Sequence, residues 1–202
     1  MRFNKRVSLG AVVTGLVALT AIVGVAIAQP VKGTNGDDTL TGTDRHDVIF
    51  GYAGNDTING MAGFDVIRSG DGNDTANGGD GHDFMRGGKG DDTQYGGPKG
   101  DIIFAERGVD VTYGGDGNDD LWAMAHADVE RKAGEPADTL YGENGNDRFH
   151  VRDGEADTVN CGPGFDKVFA DRKDNVTADC EVVYRKGAGW LKKHWKKDDK
   201  ED

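Results

Sequence analysis

Aspartate recurs every nine residues along most of this chain, at Asp38, Asp47, Asp56, Asp65, Asp74, Asp83, Asp92, Asp101, Asp110, Asp119 and Asp128. An acidic, flexible linker would scatter its carboxylates without register, so the spacing marks a repeated structural unit. Glycines precede most of these positions. Ser69 to Asp92 reads Ser-Gly-Asp-Gly-Asn-Asp-Thr-Ala-Asn, Gly-Gly-Asp-Gly-His-Asp-Phe-Met-Arg, Gly-Gly-Lys-Gly-Asp-Asp. Carboxylate and peptide carbonyl oxygens are the donors a hard cation takes, and glycine reaches turn angles closed to residues with a Cβ. Gly81, Gly90 and Gly117 are read in that role. Paired carboxylates can also act as general acids, but the repeat already accounts for these. There is no His-Glu-x-x-His motif and no Gly-x-Ser-x-Gly elbow, and His46, His82, His126, His150 and His194 share no ligand-like spacing. The chain is therefore expected not to be an enzyme.

Each unit must hold its Asp on a tight turn and spend the next three residues extended. The middle one of the three points inward: Leu40, Ile49, Ile58, Ile67, Ala76, Met85, Ile103 and Leu121 would fill a thin interior, with Gln94 as the exception. Its neighbours point outward, because strand side chains alternate. One outer face then reads Thr39/Thr41, Thr57/Asn59, Thr75/Asn77 and Thr93/Tyr95, and the other Val48/Phe50, Val66/Arg68, Phe84/Arg86 and Ile102/Phe104.

The nonapeptide resembles the RTX, or hemolysin-type calcium-binding, repeat family. That resemblance implies an all-β fold, a right-handed parallel β-roll (a β-helix solenoid), in which two nonapeptides complete one coil and turns stack on turns eighteen residues away. It also implies Ca2+ between stacked turns, held by their Asp carboxylates and by carbonyl oxygens. Asp56 would share an ion with Asp74, Asp65 with Asp83, Asp74 with Asp92, and Asp83 with Asp101.

Copies differ in quality. Asp56, Asp65, Asp74, Asp83 and Asp92 follow good turns with Gly54, Gly63, Gly72, Gly81 and Gly90 at the fourth position. Asp38, Asp101, Asp119 and Asp147 complete the candidate metal ligands; at Asp101 the glycine has moved one place, and Gly142 to Asp147 is a full turn. Arg45 weakens the turn at Asp47, and those before Asp110 and Asp128 do not look like ion turns. Leu121 to Lys132 is open between a short helix and a degenerate coil, with the retained Asp register favouring the coil. Pro136 suggests a bulging loop, after which Asp138, Asp157 and Asp166 recur with irregular spacing.

Residues 1–28 carry Arg2, Lys5 and Arg6, an apolar run and Ala26-Ile27-Ala28, as a secretory signal peptide does. An uncleaved N-terminal anchor is the rival reading. Removing the segment deletes three positive and no negative charges and takes the formal charge from −12 to −15. Such a chain repels itself and is a poor partner for nucleic acid, and about seven bound calcium ions would offset most of that charge. Hydrophobic content is 36% beside 33 glycines, so metal ligation has to supplement burial. Cys161 and Cys180 are the only cysteines and, in an exported protein, read as a disulfide.

The reading is of a secreted protein, extracellular or on the cell surface: signal peptide 1–28, β-roll 29–185 closed by a disulfide-bonded cap, and a Trp/Lys-rich tail 186–202. It would serve as a binding or structural module. Alternatives are an accessory to a separate exported hydrolase or protease, an envelope calcium buffer, or an ice or polysaccharide binder acting through the Thr face. The Val48/Val66/Phe84/Ile102 face is a candidate for self-association or partner docking. The tail, with Trp190, Leu191, His194 and Trp195 at helical spacing and Lys192, Lys193, Lys196 and Lys197 beside them, is read as a frayed end, a docked helix or a contact to cell-envelope polymers.

Overall fold

The computed structural model describes residues 30–123 and 137–185. The signal segment, Asp128, Pro136 and the Trp/Lys tail lie outside the described residues. Every described element is a strand, and every pairing is parallel. Two sheets face one another. A nine-stranded sheet begins at Val31–Lys32, Val48–Ala53, Val66–Asp71 and Phe84–Lys89; an eight-stranded sheet begins at Thr39–Thr41, Thr57–Asn59, Thr75–Asn77 and Thr93–Pro98. The chain alternates between the sheets, so strands next to each other in sequence are never neighbours in a sheet, and the molecule is a parallel β-solenoid.

Register follows the repeat. Val48 pairs with Val66, Val66 with Phe84 and Phe84 with Ile102, while Thr39 pairs with Thr57, Thr57 with Thr75 and Thr75 with Thr93. Each step is eighteen residues, so equivalent positions form columns along the axis. The expected inner column is observed: Leu40, Ile49, Ile58, Ile67, Ala76, Met85, Ile103 and Leu121 are buried, and Leu140, Phe149, Val159 and Val168 continue it. Each such side chain contributes about 1.5–3 kcal/mol when fully buried. Gln94 is buried in the same column, and its amide, correctly oriented, donates to the Phe104 carbonyl at 3.3 Å and accepts from the Gly87 N–H at 3.0 Å.

The expected degenerate coil at Asp128 is not the next rung. Asp120 pairs with Arg148 and Val111 with Thr139, a step of twenty-eight residues in which Asp138 takes the place the period would give Asp128. Later steps are nineteen, as at Arg148 to Lys167, and fifteen, as at Lys167 to Val182. Sequence register persisted through a stretch that the parallel ladder bypasses, because strand pairing answers to inward-facing hydrophobes and not to aspartate spacing alone.

The expected apolar outer column is present in register. The column Val48, Val66, Phe84, Ile102 runs on into Asp120, Arg148 and Lys167, which end the patch. Beside it, Phe50, Arg68, Arg86, Phe104, Trp122, His150, Phe169 and Tyr184 form one column. From Phe104 to Tyr184 its rings stack with centroids 5.6, 3.6, 5.1 and 5.1 Å apart. On the opposite sheet the row Thr41, Asn59, Asn77 gives way to Tyr95, Tyr113 and Tyr141, stacked at 4.9 Å, while the threonine row runs on through Thr93 and Val111 to Thr139 and Thr158. Cys161 and Cys180 are disulfide-bonded with Cα atoms 5.4 Å apart, closing the C-terminal end as expected.

Candidate metal centre

The aspartates expected to ligate metal occupy the same place in successive turns, just before each strand. Asp56, Asp65, Asp74, Asp83, Asp92, Asp101, Asp119 and Asp147 are all buried, and Asp38, on the first described turn, is half-buried. One oxygen of each buried carboxylate builds the solenoid, whereas Asp38 Oδ2 accepts the N–H and the hydroxyl of Thr34 in its own turn at 2.5 and 2.9 Å. Asp74 Oδ1 accepts the N–H of Asp56 at 2.7 Å, Asp83 Oδ1 that of Asp65 at 2.8 Å, Asp92 Oδ1 that of Asp74 at 2.8 Å, and Asp101 Oδ1 that of Asp83 at 2.7 Å. The four pairs expected to stack therefore do. Asp101 joins despite its displaced glycine, because Lys99 adopts the left-handed φ of 74° that lets the chain turn.

The other oxygen has no such use. Oδ2 of Asp56, Asp65, Asp74, Asp83, Asp92, Asp101, Asp119 and Asp147 is buried without a hydrogen-bond partner among the described residues. It points at the first residue of its own turn. A Cβ on Gly60 would lie 2.6 Å from Asp65 Oδ2, and a Cβ on Gly78 would lie 2.5 Å from Asp83 Oδ2 and 2.7 Å from the Gly96 carbonyl oxygen. A carboxylate oxygen and a carbonyl oxygen of the next coil thus converge over a first-position glycine, and any larger residue would fill that cradle. At Ser69 a hydroxyl stands in this position, itself buried and unpartnered. An all-oxygen donor set of this kind fits calcium.

The fourth-position glycines are needed for two different reasons. Gly54, Gly63, Gly72 and Gly90 have φ of 108°, 134°, 135° and 118°, as expected of residues freed from a Cβ. Gly81 and Gly117, expected to share that conformation, do not. Gly81 is glycine because the Gly63 carbonyl leaves no room for a side chain, and Gly117 because a Cβ would meet the Lys99 and Gly100 backbone.

Burial pushes these carboxyl groups up. Asp65 and Asp74 rise to about 6, Asp92 and Asp101 to about 8, Asp119 to about 6 and Asp147 to about 7. In every case desolvation is the largest cause, opposed by the backbone N–H that each accepts. Neighbouring aspartates add to the rise at Asp92 and Asp101. A bound divalent cation would supply the positive charge that holds these groups ionised.

Two features escaped sequence reasoning. The hydrogen-bonded rail is longer than the set of good turns: Asp47, Asp110, Asp138 and Asp166 belong to it, for Asp47 N–H donates to Asp65 Oδ1, Asp110 N–H to Asp138 Oδ1 and Asp147 N–H to Asp166 Oδ1, at 2.8, 2.9 and 2.8 Å. Their register was visible, and the doubt raised by the sequence at Asp47 and Asp110 concerned ion binding and not the hydrogen bond to the next coil. A second rail runs on the outer edge, where Asn55 N–H donates to Asp37 Oδ1, Asn73 N–H to Asn55 Oδ1 and Asp91 N–H to Asn73 Oδ1, at 2.7, 2.8 and 2.9 Å. The signal was an Asn or Asp immediately before alternate ladder aspartates.

A parallel β-solenoid with inward carboxylates and glycine cradles on successive turns is the architecture of a metal-binding repeat protein. The family model for the RTX calcium-binding nonapeptide repeat matches four copies, at residues 32–67, 59–94, 95–129 and 133–155. The chain belongs to this family and is a calcium-binding repeat module. No curated protein matches it.

Proposed function

We propose that the chain is a secreted β-roll that folds on calcium and acts as a binding or structural module, with no catalytic centre of its own. The observation that carries this reading is the row of buried, unpartnered Oδ2 atoms from Asp56 to Asp101 and at Asp119 and Asp147, each of which costs free energy unless a cation is shared between coils. Asp38, Asp56, Asp65, Asp74, Asp83, Asp92, Asp101, Asp119 and Asp147 would supply carboxylate ligands, and first-position glycines the access. Calcium when bound neutralises a chain of formal charge −12 and replaces the solvation its carboxylates lose. Extracellular calcium would then couple folding to export. Circular dichroism of the full chain in chelator and after calcium addition tests this: gain of β signal on addition is expected, and a spectrum indifferent to chelator rejects it. The mature N-terminus in culture medium tests export, with Gln29 expected.

A second reading concerns partners. The Val48/Val66/Phe84/Ile102 column, with Val48 39% and Ile102 42% exposed, favours self-association or docking over a role as a calcium buffer alone. Sedimentation of the calcium-loaded chain and of Ile102→Lys distinguishes them, since a buffer would sediment as a monomer in both. Co-purification of a catalytic protein would favour the accessory role. The flat Thr/Asn array suited to ice or a polysaccharide spans three rungs before Tyr95, and the same full chain serves for those binding assays.

A further inference from the structure

Where the glycine turns fail, acidic side chains gather instead. The turn running from Val151 to Asp157 reads Val-Arg-Asp-Gly-Glu-Ala-Asp and is one residue longer than the regular turns. It places Glu155 beside two successive rungs of the aspartate rail. Asp138, Glu155 and Asp157 are 2%, 5% and 0% exposed, and one carboxylate oxygen from each lies within 4.8 Å of those of the other two. The Asp138 N–H donates to Asp157 Oδ1 at 2.9 Å, while Asp157 Oδ2 is fully buried and meets no donor among the described residues. No glycine cradle of the regular kind exists here, because Val151 fills the first position of the turn with a buried side chain.

Asp157 Oδ2, desolvated and without a donor among the described residues, gains from a cation that the neighbouring Asp138 and Glu155 oxygens can share. We propose that Asp138, Glu155 and Asp157 form an additional hard-cation site, in which a third carboxylate replaces the backbone carbonyls that the regular turns offer. The donor set is all oxygen, which suits calcium or a lanthanide and disfavours zinc or copper. Its three formal charges exceed those of any regular turn pair, so this site holds its ion most tightly. Asp157 lies past the last matched repeat copy, which ends at residue 155, so the family match does not assign it. The proposal rests on the calcium reading of the roll and adds a site to it.

Calcium binding by the full chain is measured by competition with a chelator of graded strength, for the parent, Glu155→Gln, Asp157→Asn and Asp65→Asn, with circular dichroism in saturating calcium confirming each fold. Glu155→Gln and Asp157→Asn are expected to remove one ion from the tightest class or to weaken it at least tenfold. Asp65→Asn is expected to leave that class intact. Unchanged number and affinity in Glu155→Gln and Asp157→Asn overturns the proposal, a proton or a basic side chain then being the compensating charge. A parent that binds no calcium overturns the roll reading as well. Anomalous scattering from terbium-soaked parent crystals gives an answer free of variants: a peak about 2.3–2.6 Å from all three carboxylates supports the site, and peaks confined to the glycine turns exclude it.

Discussion

The two ends of the solenoid hold the same coil together by different means. From Gly33 to Asp101 the turns are glycine-rich, the interior is one side chain wide, and the first position of most turns is left open for a carboxylate oxygen. Beyond Asp147, whose turn still keeps Gly142 at its first position, that position is occupied by Val151, Cys161 and Ala170, all fully buried, so the core there widens to two apolar side chains per strand. Phe149 adds the largest buried side chain, and the Cys161–Cys180 bond ties the last coils. Room for an ion and room for hydrophobic packing compete for one position. The N-terminal part keeps the space an ion would need, and the C-terminal part fills that space with apolar side chains and adds a covalent link.

Substitutions that act on one end only would break this comparison. Phe149→Ala should cost about 3–5 kcal/mol by opening a cavity in the C-terminal core, and the loss should appear in denaturant melts with or without calcium. Equal loss at the calcium-dependent end alone would contradict the division. Replacing both Cys161 and Cys180 with Ser should cost about 2–4 kcal/mol, read by thermal melting in saturating calcium, and should leave calcium stoichiometry unchanged. Gly78→Ala should cost about 1–3 kcal/mol and remove ion binding at Asp83, since its Cβ would lie 2.5 Å from Asp83 Oδ2. An alanine variant with parental stoichiometry would mean that the cradle is not the site. Tyr113→Ala should cost least, about 0.5–1.5 kcal/mol beyond lost area, because its rings stack on the outer surface.

Acid sharpens the contrast further. The carboxyl groups of Asp92 and Asp101 stand at about 8 in the fold against 3.8 ordinarily, so protonation stabilises the metal-free roll below about pH 4. That contribution is lost as pH rises through about 8. In chelator, β signal should therefore be greater at pH 4 than at pH 8, and with calcium the order should reverse. A chelated protein more ordered at pH 8 would refute the assignment.

Much of the regular end was legible in the sequence. The inward Ile and Leu column follows from spacing and alternation, which local chemistry writes directly into the chain; the coil of eighteen and the four stacked aspartate pairs came from the family resemblance that the nonapeptide carries, and the Cys161–Cys180 bond from there being just two cysteines. The irregular end was less so. The same aspartate spacing that located Asp56 to Asp92 continued through Asp128, yet the rung belongs to Asp138, because which strand pairs next depends on inward contacts that no single repeat records. Glu155 carries no register at all and reaches the carboxylate cluster only through the fold.

The amino-acid order alone determined a repeating, oxygen-rich, glycine-turned coil and the residues facing in and out of it, since these depend on neighbours within nine positions. Tertiary structure alone decided which oxygen of each buried rail aspartate holds the preceding coil and which is left without a partner, why Gly81 differs from Gly90, and where the ladder steps by twenty-eight residues. Those outcomes arise between coils, from backbone atoms far apart in the chain and a few ångströms apart in space.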